Sequence, residues 1–263
     1  MAKAKPYYAP GSLSAVFYDR ITTADARLLG DEDIYANLVP AGENILELGA
    51  GTGRLTVGLA QRAFHVCGVD ISPTMLSQAE ARVAKQPPEL RARVELRQGD
   101  MTSLDLKRTF DLVICPFFTL AHVPTGAAWR NTFAVAARHL AAGGLAAFHL
   151  PKLDLMRGLD PPDPRRPVMD QPLGDGRALL LFVLERSFKD GINRLEQVIE
   201  YVLSDETGRI AHRSAERLTY YMTDPVPLAA TAGLVPDRPP IDLGGVGDIF
   251  VFRKTSGAQD PAP

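Results

Sequence analysis

The chain is poor in cysteine, with only Cys67 and Cys115 among its 263 residues. Each lies inside an apolar run, as buried thiols do, and neither has the spacing to a histidine pair that a metal site requires. A disulfide framework and a cysteine-ligated metal centre are therefore excluded. We expect no bound metal and a reducing, cytoplasmic compartment.

The chain also lacks an excess of positive charge, since 29 Lys and Arg stand against 31 Asp and Glu for a net charge of -2. The positive field that a nucleic-acid-binding protein needs is missing. No uncharged apolar run reaches the roughly 18 residues of a membrane span, and no apolar core follows the basic amino terminus as in a signal peptide. We therefore expect no nucleic acid and no membrane among the partners, but a small molecule bound by a monomer or homodimer.

Apolar residues make up 46% of the chain, and over the first 150 residues they alternate between short runs and longer amphipathic segments. The short runs predict strands and the amphipathic segments predict helices. This alternation favours an α/β fold in which helices cover both faces of a parallel sheet. The predicted strands are "NILEL", "HVCGVD", "RVELRQ", "FDLVIC" and "GLAAFHL".

The composition changes after residue 150. Proline is dense over residues 151–172, which predicts a long loop or lid without regular structure. Three segments with partial two-residue alternation follow, separated by the turn signals "KDG" and "DETG", and they predict an antiparallel three-stranded addition. The middle segment, residues 193–204, also has the apolar spacing of a helix, so both interpretations stay open.

These changes divide the chain into five predicted parts. They are an amino-terminal helical lid over 1–40, a core over 41–150, the proline-rich loop and antiparallel β addition over 151–222, a carboxy-terminal helix and strand over 223–254, and a disordered tail over 255–263. The fourth part is expected to complete the sheet of the second.

The stretch "ELGAGTG" runs from a predicted strand into a helix at Arg54. Its glycines, Gly49, Gly51 and Gly53, let the backbone approach a ligand closely, with free amides at the helix start. Dinucleotide-binding proteins use G-x-G-x-x-G, whereas this spacing is G-x-G-x-G and Glu47 precedes it by two residues. A carboxylate here repels a pyrophosphate in a low-dielectric cleft and suits a cationic ligand.

This stretch resembles the first motif of class I S-adenosylmethionine-dependent methyltransferases, and the resemblance extends from Asn44 to the final strand. It implies a Rossmann-like, doubly wound, mostly parallel seven-stranded sheet with an antiparallel last strand, and S-adenosyl-L-methionine as cofactor. The family's acids match Glu47 near the ammonium of the cofactor's methionine end, Asp70 at the ribose hydroxyls and Asp100 at the adenine amine. The segment "FDLVICPFFTLAHV" matches the motif beside the transferring methyl.

The resemblance implies a larger cofactor site around these acids. Its predicted members are Glu47, Gly49, Ala50, Gly51, Gly53, Arg54, Asp70, Ile71, Met75, Asp100, Met101 and Pro116. Each acid also has a simpler interpretation, because an aspartate that closes a strand often serves as a turn residue or helix cap. Asp70, ahead of "ISPT", fits that role as well.

The segment after the fourth strand narrows the range of methyl-acceptor classes. Superfamily members that methylate bases or protein amides carry Asn or Asp and then Pro-Pro-aromatic, whereas this chain has Cys115 and then Pro-Phe-Phe. The metal-dependent catechol type needs clustered oxygen ligands, which are missing here. The chain resembles the small-molecule group with an amino-terminal lid, which includes nucleotide-sugar N-methyltransferases. In that group a tyrosine and a histidine line the acceptor pocket, which implies Tyr18 and His122 as catalytic residues.

Several alternatives stay open. His122 is either a general base or a positioning group, His149 at the end of the fifth strand is a second candidate, and Tyr7 and Tyr8 are expected to pack. Nitrogen and oxygen acceptors both fit. The rival functions are a dinucleotide-dependent oxidoreductase, favoured by the glycine turn and Asp70, and a methyltransferase-like subunit that binds a nucleoside without catalysis.

Overall fold

The computed structural model describes residues 4–9 and 11–255. The chain forms two compact units that interleave along the sequence. The core unit consists of Arg27–Lys152 and the chain from Thr223 onward, and the β unit consists of the chain up to Ala26 and Leu153–Met222. Residues 256–263 of the predicted disordered tail lie outside the described residues. Thr255, the first residue of that tail, donates its amide to the carbonyl of Gly233 at 3.0 Å.

The strands match the apolar runs of the sequence closely, and some short strands were not anticipated. In chain order the described strands are β1 (Lys5–Pro6), β2 (Asn44–Leu48), β3 (His65–Asp70), β4 (Val94–Gln98), β5 (Phe110–Cys115), β6 (Leu140–Pro151), β7 (Met169–Pro172), β8 (Ala178–Lys189), β9 (Arg194–Ser204), β10 (Ile210–Tyr221), β11 (Leu234–Pro236), β12 (Ile241–Leu243) and β13 (Gly247–Lys254).

The helices follow the amphipathic segments. The described α-helices are α1 (Leu13–Val16), α2 (Tyr18–Ala24), α3 (Asp31–Ala36), α4 (Arg54–Gln61), α5 (Pro73–Ala84), α6 (Pro88–Arg91), α7 (Ala127–His139), α8 (Leu153–Arg157) and α9 (Val226–Ala230). Three short 3₁₀ segments lie at Ala26–Leu28, Thr119–His122 and Asp190–Ile192. The start of α5 shows why a helix begins where it does: the Ser72 side chain accepts the amide of Met75, and Pro73 occupies the first turn.

The core unit holds an eight-stranded sheet with β11-β13-β6-β5-β2-β3-β4 along its path and β12 paired to β13. The five strands from β2 to β6 run parallel to one another, and β13 pairs with β6 in the antiparallel direction. The predicted fold class, a mostly parallel sheet with an antiparallel last strand, is confirmed. The described sheet has eight strands instead of seven, because the short β11 and β12 both pair with β13.

Side chains alternate between the two faces of the core sheet. Leu46 and Leu48 on β2 join one buried cluster with Trp129 and Phe133 of α7, whereas Ile45 joins a second cluster on the face of α3 and α4. Because both faces are covered, β2 is buried along nearly its whole length, as central parallel strands are. The same alternation places Glu47 on the face of Ile45.

The β unit holds a five-stranded sheet in the order β1-β10-β9-β8-β7. The predicted strands over 177–223 are present as β8, β9 and β10, and the middle segment forms the strand Arg194–Ser204 instead of a helix. The prediction of three strands was wrong in number, since β1 pairs with β10 and β7 pairs with β8. The prediction that residues 151–172 lack regular structure was also wrong, because α8 and β7 form in the gaps between the prolines.

Candidate functional site

The predicted cofactor residues lie at the carboxyl edge of the core sheet. Strands β4, β3, β2 and β5 are consecutive neighbours, so Asp100, Asp70, Glu47 and Pro116 follow or close adjacent strands. The strand order reverses between β2 and β5, since the chain continues from β2 to β3 on one side and returns to β5 on the other. Open α/β sheets bind their ligands at this kind of switch point.

The glycine turn after β2 is held by its own amides. Gly49, Gly51 and Gly53 have φ values of 82°, 56° and 73°, which side chains rarely adopt. The amides of Gly49 and Ala50 donate to the carbonyl of Val69 at 2.8 and 2.9 Å, and that of Gly53 donates to the carbonyl of Ala50 at 2.9 Å. The turn therefore uses two of these amides to join β2 to β3 and the third to close on itself.

Gly49 has a second reason to be glycine. A Cβ atom built there would lie 2.3 Å from Cγ2 of Thr119, which belongs to the 3₁₀ segment after β5. That distance is shorter than real carbon contacts, so the turn can approach the segment only without a side chain. Gly49 thus packs the loop after β5 against the loop after β2, a role that spacing along the sequence does not reveal.

Glu47 lies beneath this turn and is 1% exposed. Its Oε2 accepts the hydroxyl of Thr56 at 2.5 Å. Burial raises the pKa of Glu47 to about 8, although the Thr56 hydrogen bond and the Arg54 charge partly oppose that rise. The carboxyl group therefore holds a proton near neutral pH until a positive charge is brought to it.

Arg54, the first residue of α4, is occupied by a partner that the sequence analysis missed. Its two terminal nitrogens donate to the two oxygens of Asp31 at 3.0 and 2.5 Å, and its guanidinium lies 5.4 Å from the ring centre of Phe117. Asp31 begins α3 and is fully buried. In the sequence Asp31 belongs to the acidic stretch "DED", which is also typical of the starts of ordinary exposed helices. Only the fold therefore identifies Asp31 as the partner of Arg54.

The hydroxyl of Tyr35 is a second missed group on the same face. The side chain is fully buried in the cluster with Leu55 and Leu59, and its oxygen has no hydrogen-bond partner among the described residues. Burial raises the pKa of Tyr35 well above its usual range, and the charge of Asp31 adds to that rise. The phenol is therefore neutral and can donate one hydrogen bond.

Asp70 supports the turn from the end of β3. One carboxylate oxygen accepts the amide of Gly51 and the other accepts the amide of Ser72, both at 2.8 Å. Burial raises the pKa of Asp70, and these two amide bonds oppose that rise. The structural interpretation of Asp70 is therefore correct as far as it goes. A carboxylate has further lone pairs, so these bonds leave capacity for a ligand's hydroxyl groups.

Asp100 follows β4 and is exposed. Its Oδ1 accepts both the amide and the hydroxyl of Thr102 at 2.8 Å, whereas Oδ2 accepts no hydrogen bond within the described residues. This arrangement orients one oxygen and leaves the other available to a donor. Met101, the next residue, is partly buried against the core.

The remaining predicted cofactor residues differ in exposure. Ile71 is 66% exposed after β3, as a residue that covers a ligand from outside can be. Met75 is buried in the first turns of α5, and Pro116 is buried directly after β5. These three residues border the carboxyl edge, but their roles toward a ligand stay predictions.

The segment after β5 has an unusual backbone. Phe117 and Phe118 have φ values of 56° and 62°, in the left-handed region that non-glycine residues rarely occupy. Such conformations persist where the surrounding structure enforces them, and they cluster at functional sites. The Phe118 ring is buried and lies 4.5 Å from the ring of His149, which anchors the segment on β6.

The two candidate histidines are both neutral at physiological pH. Burial lowers the pKa of His122, at the end of the 3₁₀ segment, to about 4. Burial also lowers the pKa of His149 to about 4, and neither of its ring nitrogens has a hydrogen-bond partner among the described residues. His149 is fully buried against Gly247, where a Cβ would lie 2.5 Å from Nε2. A ligand could reach His149 only if this packing opened.

Tyr18, the other predicted catalytic residue, belongs to the β unit. It begins α2, and its ring packs edge-on against Tyr8 with the ring centres 5.6 Å apart. Its catalytic role stays a prediction. Over residues 4–9 and 11–255, no group of three or more His, Cys, Asp or Glu side chains is arranged to hold a metal ion. Within the same ranges, no helix combines the length and apolar character that crossing a bilayer requires.

Comparison with known proteins relates part of the chain to methyltransferases. Residues 45–144 match the methyltransferase domain family. The matched residues lie within the core unit. This match covers the glycine turn, the three acids and the segment after β5, so the methyltransferase resemblance predicted from the sequence motifs is confirmed over residues 45–144.

Two curated relatives of this methyltransferase domain act on different atoms by name. The chain is 42% identical to the magnesium-protoporphyrin O-methyltransferase of Rhodobacter capsulatus over 28% of this chain and 31% of that protein. It is 29% identical to a dTDP-4-amino-2,3,4,6-tetradeoxy-D-glucose N,N-dimethyltransferase of Saccharopolyspora spinosa over 55% of this chain and 56% of that protein. The chain thus spans 31% and 56% of the lengths of these two relatives.

Solved structures extend the similarity of fold beyond the methyltransferase domain. DesVI of Streptomyces venezuelae has a TM-score of 0.74 at 19% identity, with 90% of this chain and 97% of that chain covered. CalS10, an S-adenosylmethionine-bound amino pentose methyltransferase from Micromonospora echinaspora, has a TM-score of 0.71 at 24% identity, with 96% and 100% covered. At these identities the similarity establishes the fold.

Proposed function

We propose that this chain is an S-adenosylmethionine-dependent methyltransferase that methylates a nitrogen atom of a small-molecule acceptor. The observation that carries the proposal is the placement of Glu47, Asp70 and Asp100 at the carboxyl ends of three adjacent strands beside the glycine turn, within residues that match a methyltransferase domain. The family match and the cofactor-bound neighbour support S-adenosylmethionine as the cofactor.

Each acid has a distinct proposed task. Asp100 accepts the adenine amine through Oδ2, since Oδ1 is occupied by Thr102. Asp70 accepts the ribose hydroxyls on the lone pairs that Gly51 and Ser72 leave open. Glu47 ionises when the cofactor's ammonium approaches, because an opposite charge favours the charged form of a buried carboxyl group. Binding near neutral pH should therefore release a proton from Glu47.

The paired amides of the glycine turn disfavour the dinucleotide alternative. A pyrophosphate is bound by unpaired backbone amides at a helix start. Here the amides of Gly49, Ala50, Gly51 and Gly53 already have protein acceptors. Glu47 adds a carboxyl group where a phosphate pair would lie, and an oxidoreductase using this turn would have to overcome both features.

A nitrogen acceptor fits the histidines better than an oxygen acceptor. Bound S-adenosylmethionine would supply an electrophilic methyl group; the acceptor's lone pair would form a bond to that carbon in line, and the C–S bond would break with its electron pair on the departing S-adenosylhomocysteine. A neutral amine needs no base for this attack, whereas a hydroxyl group needs one. His122 has a pKa of about 4 and is a weak base, so it serves better to position an amine. The named N-methylating relative supports the same choice.

The proposal is tested by calorimetry with S-adenosylmethionine, S-adenosylhomocysteine and NAD. The first two should bind, and Asp70→Asn should weaken their binding roughly 10-fold to 100-fold, because a charge-assisted hydrogen bond is worth about 1.5–3 kcal/mol. Asp224→Asn is the matched control, since Asp224 also accepts a backbone amide at a helix start in the core unit. Binding of NAD alone, or equal affinity in the Asp70 variant, would contradict the assignment.

Transfer itself is measured with tritiated S-adenosylmethionine and a panel of small amines and matching alcohols. We expect label in the amines. Labelling of the alcohols alone would replace the nitrogen acceptor with an oxygen acceptor. No transfer to either class, despite cofactor binding, would favour the non-catalytic alternative.

A further inference from the structure

The hydroxyl group of Tyr35 is a buried donor that the proposed cofactor site does not use. Tyr35 is 0% exposed, and its hydroxyl oxygen has no hydrogen-bond partner among the described residues. A buried hydroxyl group without a partner costs stability, and a phenylalanine would fill the cluster with Leu55 and Leu59 without that cost. The hydroxyl group therefore indicates a partner that becomes available in another state of the protein.

The fold places this hydroxyl group beside the polar residues beneath the glycine turn. Tyr35 lies four residues after Asp31 on α3, so the two side chains share one side of that helix. Asp31 pairs with Arg54 at the start of α4, and Thr56, two residues later, donates to Oε2 of Glu47. The charges of Asp31, Glu47 and Arg54 all act on the Tyr35 hydroxyl group. Three elements of the core unit, α3, α4 and β2, thus bring Tyr35 near Glu47.

Glu47 has an oxygen that can become this missing partner. Its Oε1 accepts no hydrogen bond from the described residues, since Thr56 occupies Oε2. A protonated carboxyl group is a weak acceptor, whereas a carboxylate accepts hydrogen bonds that are roughly twice as strong as neutral ones. Ionisation of Glu47 therefore creates the strong acceptor that the Tyr35 hydroxyl group lacks.

Other titratable groups lie around Tyr35 and Glu47, and each comes from a different element. They are Asp31 on α3, Arg54 on α4, Asp70 at the end of β3, Cys115 on β5 and His149 on β6. Burial raises the pKa of Cys115 to about 12 and lowers that of His149 to about 4, so both are neutral from pH 6 to 9. With its pKa raised to about 8, Glu47 lies between them and changes its charge within this range.

We propose that Tyr35 is a positioning residue for Glu47, and that its hydroxyl group donates a hydrogen bond to the Glu47 carboxylate when that carboxylate forms. The Glu47 proton passes to solvent, and the phenol keeps its own proton. Thr56 then holds one carboxylate oxygen and Tyr35 the other, which fixes the orientation in which the carboxylate meets a cation. The consequence for binding of the cofactor's ammonium group rests on the proposed methyltransferase function.

The first test follows the ionisation of Glu47 in the chain without any ligand. Glutamate carboxyl groups are labelled with carbon-13, the Glu47 signal is assigned by its loss in Glu47→Gln, and its shift is recorded by NMR from pH 5 to 10. Tyr35→Phe removes only the donor, so it should raise the pKa of Glu47 by about one pH unit. An unchanged Glu47 titration in folded Tyr35→Phe would overturn the inference.

Two variants calibrate this measurement. Thr132→Val removes another fully buried hydroxyl group, on α7 at the opposite face of the sheet, where it donates to the carbonyl of Ala128 at 2.9 Å. This variant should leave the Glu47 titration unchanged. Thr56→Val removes the donor that already bonds Glu47, so it should raise the Glu47 pKa in the same direction as Tyr35→Phe.

The second test measures how cofactor affinity depends on pH. Below its pKa, Glu47 must lose its proton before it attracts an ammonium group, and a higher pKa makes that step less favourable. Tyr35→Phe should therefore bind S-adenosylmethionine roughly tenfold more weakly than the unaltered chain at pH 6, and within about twofold at pH 9. The ratio of the two affinities removes the titration of the cofactor's own amine. A ratio that is the same at both pH values would mean that Tyr35 has a structural role only.

A measurement on the unaltered chain covers the case in which Tyr35→Phe fails to fold. Carbon-13 at the hydroxyl-bearing ring carbon of Tyr35 should shift in step with the Glu47 titration, and this shift should be missing in Glu47→Gln. A constant Tyr35 signal across the Glu47 titration would overturn the inference.

The two tests separate this inference from the proposed function. A shifted Glu47 titration without S-adenosylmethionine binding would overturn the methyltransferase proposal and leave the Tyr35–Glu47 hydrogen bond standing. Binding of S-adenosylmethionine with an unshifted Glu47 titration would overturn only the role of Tyr35.

Discussion

Individual polar residues in the core unit are buried more deeply than their types suggest. Asp31 and Glu47 are buried on the face of the sheet that α3 and α4 cover, and Arg54 pairs with Asp31 there. Burying a charged pair stabilises the fold little by itself, but removal of one partner leaves the other without compensation. The Asp31–Arg54 pair therefore fixes the start of α4, and with it the end of the glycine turn.

Asp31→Asn tests this role of the Asp31–Arg54 pair. The substitution removes the negative charge from a fully buried position, and we expect it to lower the free energy of unfolding by about 3 kcal/mol, measured by urea denaturation. Asp33→Asn on the same helix is the control, because Asp33 is 66% exposed and its pair with Arg62 should contribute under about 1 kcal/mol. Equal losses in the two variants would contradict the special position of Asp31.

At the scale of elements, two loops fit each other at the carboxyl edge of the core sheet. The turn after β2 has no side chain at Gly49, and the segment after β5 places Thr119 in that space. The left-handed pair Phe117 and Phe118 turns this segment toward β2 and β6. A glycine that reads as a ligand-binding residue in the sequence therefore also serves loop-to-loop packing.

Gly49→Ala separates packing from backbone strain. Alanine at this φ costs about 1–2 kcal/mol, and the contact with Thr119 should add roughly 1–3 kcal/mol to the loss of unfolding free energy. Gly42→Ala has a comparable φ of 96° and nothing within 4 Å, so it should show the strain alone. Adding Thr119→Ala to Gly49→Ala should recover part of the lost unfolding free energy, whereas adding it to Gly42→Ala should recover none. If the Gly49→Ala chain, the Gly42→Ala chain and the Gly49→Ala/Thr119→Ala chain unfold at the same urea concentration, the packing role is refuted.

At the scale of the whole molecule, buried titratable groups make stability depend on pH. The pKa of Glu47 is about 8 in the folded chain and about 4.5 in the unfolded chain. Between these values the folded chain keeps a proton that the unfolded chain loses, so the contribution of Glu47 falls as pH rises through this window. His122 and His149 act in the other direction below pH 6.5, because burial lowers their pKa values to about 4.

The difference in unfolding free energy between the unaltered chain and Glu47→Gln isolates the contribution of this one group. This difference, measured by urea denaturation from pH 5 to 8, should fall with rising pH by up to several kcal/mol. Glu95→Gln is the control, since the Glu95 pKa is lowered and its contribution is complete above about pH 5. Its difference from the unaltered chain should stay constant over the same range. A constant difference for Glu47→Gln as well would show that Glu47 is ionised throughout.

The sequence by itself determined the order of the elements and the residues that close the strands. Apolar periodicity is a local property, so strands β2 to β6, α4, α5 and α7 could be read within a few residues, and the motif order indicated the methyltransferase domain. Short strands such as β1, β7, β11 and β12 could not, because they form only where an existing strand offers unpaired amides and carbonyls.

Only the tertiary structure decided what each polar residue touches. It paired Arg54 with Asp31, used the glycine-turn amides within the protein, raised the pKa of Glu47 and joined the hydroxyl groups of Tyr7 and Tyr201. These outcomes depend on burial and on partners distant in the sequence, and the spacing of residues along the chain reveals neither. The fold class could therefore be predicted from the sequence, whereas the charge and accessibility of the candidate site residues follow from how the elements pack.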